Sequence, residues 1–411
     1  MLAHLLFSAI IKEGDLTVID AQRRSREYGD KTGPAITICL QDRTLELGLF
    51  INPKLVFGEA YTDGRMTVEK GSLYELLELC IKNLEKLEGH PFWSIFQRAS
   101  NLLRHLKSFN PISRARRNVA HHYDLSGELY DLFLDKDRQY SCAYFDDPDQ
   151  ELEAAQSDKK RHLASKMLLD TADLEILDIG SGWGGLGMYL AQESGARVKG
   201  LTLSSEQHGL SNQRAEAAGL GDRVKFELKD YRLETDSFNR IISVGMFEHV
   251  GSSHYREFFR KIKELLTDDG VMVLHSIGRS EPPGGMNPWI VKYIFPGGYI
   301  PALSEVFAAI EKEGLYVTDV EVLRYHYAET LRNWRLRFYA NRDKVAELYD
   351  ERFCRMWDFY LSSCELTFRF AGQMVFQIQL SKKQDAVPLK RDYMVDWERR
   401  RQPQRSTQAA E

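Results

Sequence analysis

Two hydrophobic rhythms divide the chain. From about residue 15 to 70, short apolar runs alternate with turn signals. Residues 37–40, 44–50 and 54–57 are rich in β-favouring side chains, and Gly33-Pro34 and Asp63-Gly64 punctuate them. Residues 71–87 change to helical spacing, with Leu73, Leu76, Leu77, Ile81 and Leu84 on one face and Ser72 positioned as N-cap. This pattern predicts a small α+β domain over residues 1–95. A basic helical linker follows over 96–117, broken at Asn110-Pro111.

From residue 118 onward, strand-sized runs at 174–179, 197–203, 224–228, 240–245 and 271–277 are separated by helical stretches. That is the spacing of a doubly wound parallel sheet. Runs at 316–323 and 374–380 can supply closing strands, and helical stretches near 288–311 and 328–370 are long enough to roof a pocket. The reading is a catalytic domain over 118–385 and a basic, flexible tail over 386–411.

Composition narrows the class. A chain of 411 residues is too long for one ordinary core, and 43% hydrophobic with 28% charged residues is the balance of a globular protein. No apolar run reaches membrane-spanning length. The net charge of -5 gives no general attraction to nucleic acid. The charge is uneven, however. Arg98, Arg104, Lys107, Arg114, Arg116 and Arg117 fall in a stretch without an acid, which can hold an anionic membrane surface at short range. The five cysteines form no CxxC or Cys/His cluster, which argues against a disulfide framework or a metal site and fits a reducing, cytoplasmic setting.

The chemistry-bearing motif is Leu177-Asp-Ile-Gly-Ser-Gly-Trp-Gly-Gly, between a predicted strand and a predicted helix. Glycines there let the backbone turn tightly and approach a ligand, while the helix N-terminus offers free N–H groups. Gly180, Gly182 and Gly185 also satisfy the dinucleotide fingerprint, so the glycines alone do not separate an NAD enzyme from a methyltransferase. Two details favour S-adenosylmethionine (SAM). Asp178 precedes the first glycine, where a cationic ligand needs a carboxylate. The next strand ends Gly200-Leu-Thr-Leu-Ser, without the acid that binds an NAD ribose.

Several further motifs occur in order: Asn118-Val-Ala-His-His-Tyr-Asp-Leu, Gln139-Tyr-Ser-Cys-Ala-Tyr-Phe, Val244-Gly-Met-Phe-Glu-His-Val-Gly, Leu274-His-Ser-Ile-Gly, Trp289-Ile-Val-Lys-Tyr-Ile-Phe-Pro-Gly-Gly and His326-Tyr-Ala-Glu-Thr-Leu-Arg-Asn-Trp. With the glycine motif they span about two-thirds of the chain. In them the sequence resembles the cyclopropane fatty acid and mycolic acid cyclopropane synthases. The resemblance implies a Rossmann-like class I SAM-dependent methyltransferase fold with helical insertions over the active site. It implies that Tyr140 and Ser141 contact the methionine end of SAM above Gly180 and Gly182, that Thr202, Leu203 and Gln207 hold the ribose side, and that Tyr231 lies by the adenine. It also implies a bicarbonate ion held by Cys142, Glu248, His275, Ile277 and Tyr327. Cys364 matches a cysteine long named as active-site in the family, although the chemistry needs no thiol nucleophile. Ser181 is a departure, since many relatives carry cysteine there.

The implied reaction adds a methylene bridge across the cis double bond of an unsaturated phospholipid acyl chain. An alkene is a weak nucleophile, so it needs an aligned electrophile. Methyl transfer then leaves a carbocation that water would trap, which calls for a dry pocket with unreactive walls. Tyr140, Tyr144, Phe145, Phe247, Trp289, Tyr293, Phe295 and Tyr327 are candidates for that wall. Ring closure needs a base, and bicarbonate is small enough to be buried. The amphipathic segment 1–11, the basic linker and apolar positions within 290–300 are candidates for a membrane-facing entrance, giving a cytoplasmic protein held peripherally at the membrane. The family suggests a homodimer. Rival readings are a methyl or methylene branch in place of a ring, a small-molecule N-methyltransferase, an NAD dehydrogenase, and a lipid-binding protein with an inactive SAM fold.

Overall fold

The computed structural model describes residues 2–85 and 126–402. The expected linker 96–117, its flanks and residues 403–411 lie outside the described residues, as do His121 and His122.

The N-terminal part consists of helix α1 (Leu2–Ile10), strands β1 (Asp15–Ile19), β2 (Ser25–Tyr28) and β3 (Ala35–Leu40), helices α2 (Thr44–Ile51) and α3 (Pro53–Thr62), strand β4 (Met66–Lys70) and helix α4 (Leu73–Glu85). The sheet order is β2-β1-β3-β4, with β1 and β3 parallel. Leu16, Ile38, Leu45, Leu49, Met66 and Leu76 form its core. The strands expected at 44–50 and 54–57 are helices. Local capping decides this: the Asp42 carboxylate accepts the Thr44 and Leu45 N–H groups at 2.9 and 3.2 Å, and Pro53 opens the first turn of α3. Helix α4 starts as the spacing predicts. Ser72 Oγ accepts from Glu75 N at 3.2 Å, while the Glu75 carboxylate accepts from Ser72 N at 2.8 Å.

The larger part is built on β5 (Glu175–Ile179), β6 (Arg197–Thr202), β7 (Val224–Leu228), β8 (Phe238–Val244), β9 (Leu266–Arg279), β10 (Tyr316–Leu323) and β11 (Gln373–Ser381), in the order β10-β11-β9-β8-β5-β6-β7. Strands β5 to β9 are mutually parallel, and β11 inserts antiparallel between β9 and β10. Buried apolar residues on both faces of β5, β8 and β9 fit a sheet covered by helices on each side. The helices Pro288–Tyr293 and Glu351–Phe370 lie within the predicted insertions, and His326–Ala340 begins two residues before the second of them. The stretch expected to be a flexible tail contains the helix Asp392–Arg400. Met394 and Trp397 are buried, and Glu398 meets His162 at 2.7 Å, so apolar burial and an ion pair fasten it down.

The two parts are joined through α3 and α4. Tyr74 of α4 donates to Glu365 at 2.9 Å, and Glu365 also pairs with Arg335 at 2.8 Å and Arg369 at 3.1 Å. From α3, Tyr61 donates to Asp358 at 2.9 Å. Gly58 permits the close approach, because a Cβ there would meet the Trp289 ring at 2.5 Å.

Candidate active site

The carboxyl ends of β5, β6 and β8 open onto a cleft whose floor is the glycine turn after β5. Gly180 has φ 84°, and a Cβ there would press on Met246 at 2.8 Å; Gly182 has φ 55° and faces open space. The Gly180 and Ser181 N–H groups donate to Leu201 O at 2.9 and 3.0 Å, which pins the turn to β6. Asp178, Tyr140, Ser141, Thr202, Leu203, Gln207 and Tyr231 all line this cleft. The structure therefore brings together the whole residue set expected to bind the cofactor. Thr202 Oγ1 donates to Gln207 Oε1 at 2.8 Å. Asp178 is buried and its Oδ2 has no hydrogen-bond partner; burial pushes its carboxyl up to about 7, against the pull of Lys159. An orphaned, buried carboxylate oxygen beside a glycine turn suits a cationic ligand such as SAM.

Behind the cleft lies a second, larger cavity, enclosing about 2110 Å³ of empty space with its mouth included. Its wall is mostly apolar and comes from both parts of the molecule. Phe7 and Ile10 of α1, Phe57 of α3 and Leu77 of α4 face Phe295, Leu331 and Phe368. Cys142, Glu248, His275, Ile277, Tyr327 and Cys364 also line it, so all the expected catalytic residues share one cavity. Tyr140, Ser141, Gly245 and His249 line both cavities and form the partition between them.

Glu248 sits in the turn Phe247–His249 after β8. Its Oε1 accepts from Ile277 N at 2.6 Å and its Oε2 is buried without a partner. Burial raises this carboxyl to about 7, although the Ile277 N–H opposes the rise. The neighbouring His249 is pushed down to about 4 by burial, so it is a neutral imidazole. Ile277 thus meets Glu248 directly through its backbone. His275, buried on β9, has its Nδ1 3.1 Å from Gln377 Nε2. Burial raises the Cys142 thiol well above its ordinary range and raises Cys364 to about 12, so neither is a thiolate near neutrality.

Some of the expected aromatic wall lies elsewhere. Tyr140, Phe295 and Tyr327 line the apolar cavity, but Tyr144 stacks on His162 and His326 with ring centroids 4.1 and 4.8 Å apart. Phe247 packs beneath the sheet on Tyr255 and Phe258, and Trp289 is completely buried. Tyr293 donates to Glu59 at 2.8 Å. Tyr360 was not anticipated; its hydroxyl is 2.8 Å from that of Tyr140. Its signal was its place one helical turn before Cys364. Lys159 was also missed. It is fully buried, and its Nζ donates to Gln139 Oε1 at 2.5 Å and Ser141 Oγ at 3.0 Å, anchoring the partition from behind.

Among the described residues no helix is long and apolar enough to cross a membrane. The family model for mycolic acid cyclopropane synthetase matches residues 111–378. The cyclopropane-fatty-acyl-phospholipid synthase of Escherichia coli K12 is 36% identical over 80% of this chain and 83% of its own. The tuberculostearic acid methyltransferase of Mycobacterium tuberculosis is also 36% identical, over 80% of this chain and 78% of its own. In structure, the chain is similar to a mycolic acid cyclopropane synthase complexed with SAH and CTAB, with TM-score 0.62 and 33% identity over 66% of this chain and 99% of that one. The sheet order and these likenesses give the class I SAM-dependent methyltransferase fold. The chain belongs to the mycolic acid cyclopropane synthetase family.

Proposed function

We propose that this enzyme transfers a methylene group from SAM to the cis double bond of unsaturated acyl chains in membrane phospholipids, forming cyclopropane fatty acids. The observation that carries the reading is the meeting of a polar, glycine-floored cleft and a long apolar cavity at Tyr140, Ser141, Gly245 and His249. When bound, SAM supplies an electrophilic methyl group. Asp178, Gly180 and Gly182 would hold its charged end with Tyr140 and Ser141, and Thr202, Leu203, Gln207 and Tyr231 would hold the nucleoside. The apolar cavity seats the acyl chain and keeps water from the cation that forms on it. Tyr140, Tyr327, Tyr360 and Phe295 offer ring faces to that charge without attacking it.

The base in this reading is bicarbonate, which Glu248, His275, Tyr327 and Cys142 would hold, with Ile277 acting through Glu248, to which its N–H is already given. The fit rests on donor chemistry. Glu248 titrates near neutrality, so its free Oε2 can accept from a bicarbonate hydroxyl or, when protonated, donate to the anion. Cys364 bounds the cavity and is not a nucleophile.

The apolar cavity reaches α1, and Leu5, Leu47, Phe50 and Ile51 on α1 and α2 are exposed. We read this as the face that meets the lipid surface, in a peripheral and homodimeric enzyme. Flotation with anionic phospholipid vesicles tests it; protein that stays at the bottom of the gradient with vesicles present overturns it.

The test of the reaction is incubation with isotope-labelled SAM and vesicles of unsaturated phospholipid, followed by lipid mass spectrometry and proton NMR. The expected result is a gain of CH2 with loss of the alkene and the appearance of cyclopropyl protons. Unlabelled lipid, or label carried only in a branch, overturns the reading.

A further inference from the structure

His275 lies in a row that crosses three strands. Gln377 on β11 is its register partner, and Glu321 on β10 is the register partner of Gln377. The row is closed from the side by Lys166, which follows the helix Leu152–Ser165. Lys166 Nζ donates to Gln377 Oε1 at 2.5 Å and also to Glu321. His162, on the same helix, bridges Glu321 and Glu398 at 2.7 Å each. Lys166 is 2% exposed and Gln377 and His275 are as deeply buried, so water does not compete for these contacts.

The row sets a hydrogen-bond direction. An amide can present either end to a neighbour, and the network around it decides which. Lys166 has only protons to offer, and its contact with the Glu321 carboxylate keeps it a donor, so it takes the carbonyl oxygen of Gln377. That leaves the amide N–H of Gln377 pointing at His275 Nδ1. An N–H needs a lone pair opposite it, so Nδ1 carries no proton and the ring proton of a neutral imidazole sits on Nε2. Among the described residues Nε2 has no protein partner, and His275 lines the apolar cavity.

We propose that Gln377, itself oriented by Lys166 and Glu321, is a positioning residue that fixes His275 as the neutral Nε2–H tautomer, so that His275 donates a hydrogen bond into the cavity and cannot act as its base. Protonating Nδ1 would set two donors face to face and add a cation near Lys159, Lys166 and His162. Burial and these same cations hold the imidazole well below its ordinary pKa. The proton released on ring closure must then go to another group in the same cavity, while His275 Nε2–H serves an oxyanion there. This last step rests on the function proposed above; the tautomer does not.

The test is 15N NMR of the full-length protein labelled at histidine, with the His275 signals identified by their loss in His275→Asn. The expected spectrum has a pyrrole-like Nε2 and a pyridine-like Nδ1 from pH 6 to 8. A protonated Nδ1 in the wild type overturns the proposal, whether or not the enzyme makes cyclopropanes. Gln377→Glu supplies an acceptor in place of the donor. It is expected to move the proton to Nδ1 and lower kcat by about 10–100-fold while leaving SAM affinity unchanged. A folded Gln377→Glu protein with an unmoved tautomer, or with a moved tautomer and unchanged kcat, also overturns it.

Discussion

The two cavities are built by different means. The nucleotide cleft is backbone held in place: a glycine turn pinned to β6, with side chains drawn from neighbouring strand ends. The apolar cavity is side-chain volume contributed largely by helices far apart in sequence, from α1 to Glu351–Phe370. Backbone geometry tolerates little change in a few atoms, whereas a wall of many apolar contacts tolerates single losses and responds to added bulk. Polar residues at the partition should therefore dominate the chemistry, and apolar ones should tune the substrate.

The largest expected effect is at Glu248. Glu248→Gln should lower product formation by about 10²–10⁴-fold with SAM affinity intact by calorimetry, since it removes the titrating oxygen from the acyl side only. A matching loss of SAM binding would mean that the cavities are not separable in function. Next is bulk in the acyl wall. Cys364→Trp should cost about 10–100-fold in activity on long-chain vesicles, whereas Cys364→Ala should stay within about threefold, because the thiol is inert and only its volume matters. A large loss in Cys364→Ala would restore a chemical role to the thiol.

Asp178 sharpens the other side. Its carboxyl is raised by burial from 3.8 to about 7, so SAM affinity should climb as pH rises toward about 7, where the carboxylate forms. Asp178→Asn should lose about 10-fold in affinity and flatten this profile in binding titrations. The ligand-free protein should show the opposite trend. The folded state keeps this proton where the unfolded chain has released it, so the contribution is full below 3.8 and is lost as pH rises to about 7. The fall in melting temperature between pH 5 and 7 should be smaller in Asp178→Asn. The smallest effect is Tyr74→Phe, which removes one hydrogen bond to the buried Glu365. Arg335 and Arg369 remain on that carboxylate, so denaturant unfolding should report a loss of about 1–3 kcal/mol.

The same contrast explains what the sequence reveals. The cleft is legible because its glycines, Asp178 and strand-end residues follow one another at short spacing. The Leu73–Glu85 helix is legible for the same reason: its cap and apolar stripe are local. The segment at 44–50 misleads because its apolar residues alternate like a strand, while the deciding Asp42 cap lies just outside the run. The acyl wall and the His275 row depend on residues that folding alone brings together. Nothing in the neighbourhood of Gln377 marks it as the partner of Lys166, 211 positions earlier. Phe247 has the right chemistry for the wall but packs into a different core, while Trp289 is buried in the core that backs the cavity without lining it.

Tyr140, Ser141, Gly245 and His249 belong to the walls of both cavities, so the two spaces share one seam. A side chain altered at that seam would therefore be felt in both spaces at once.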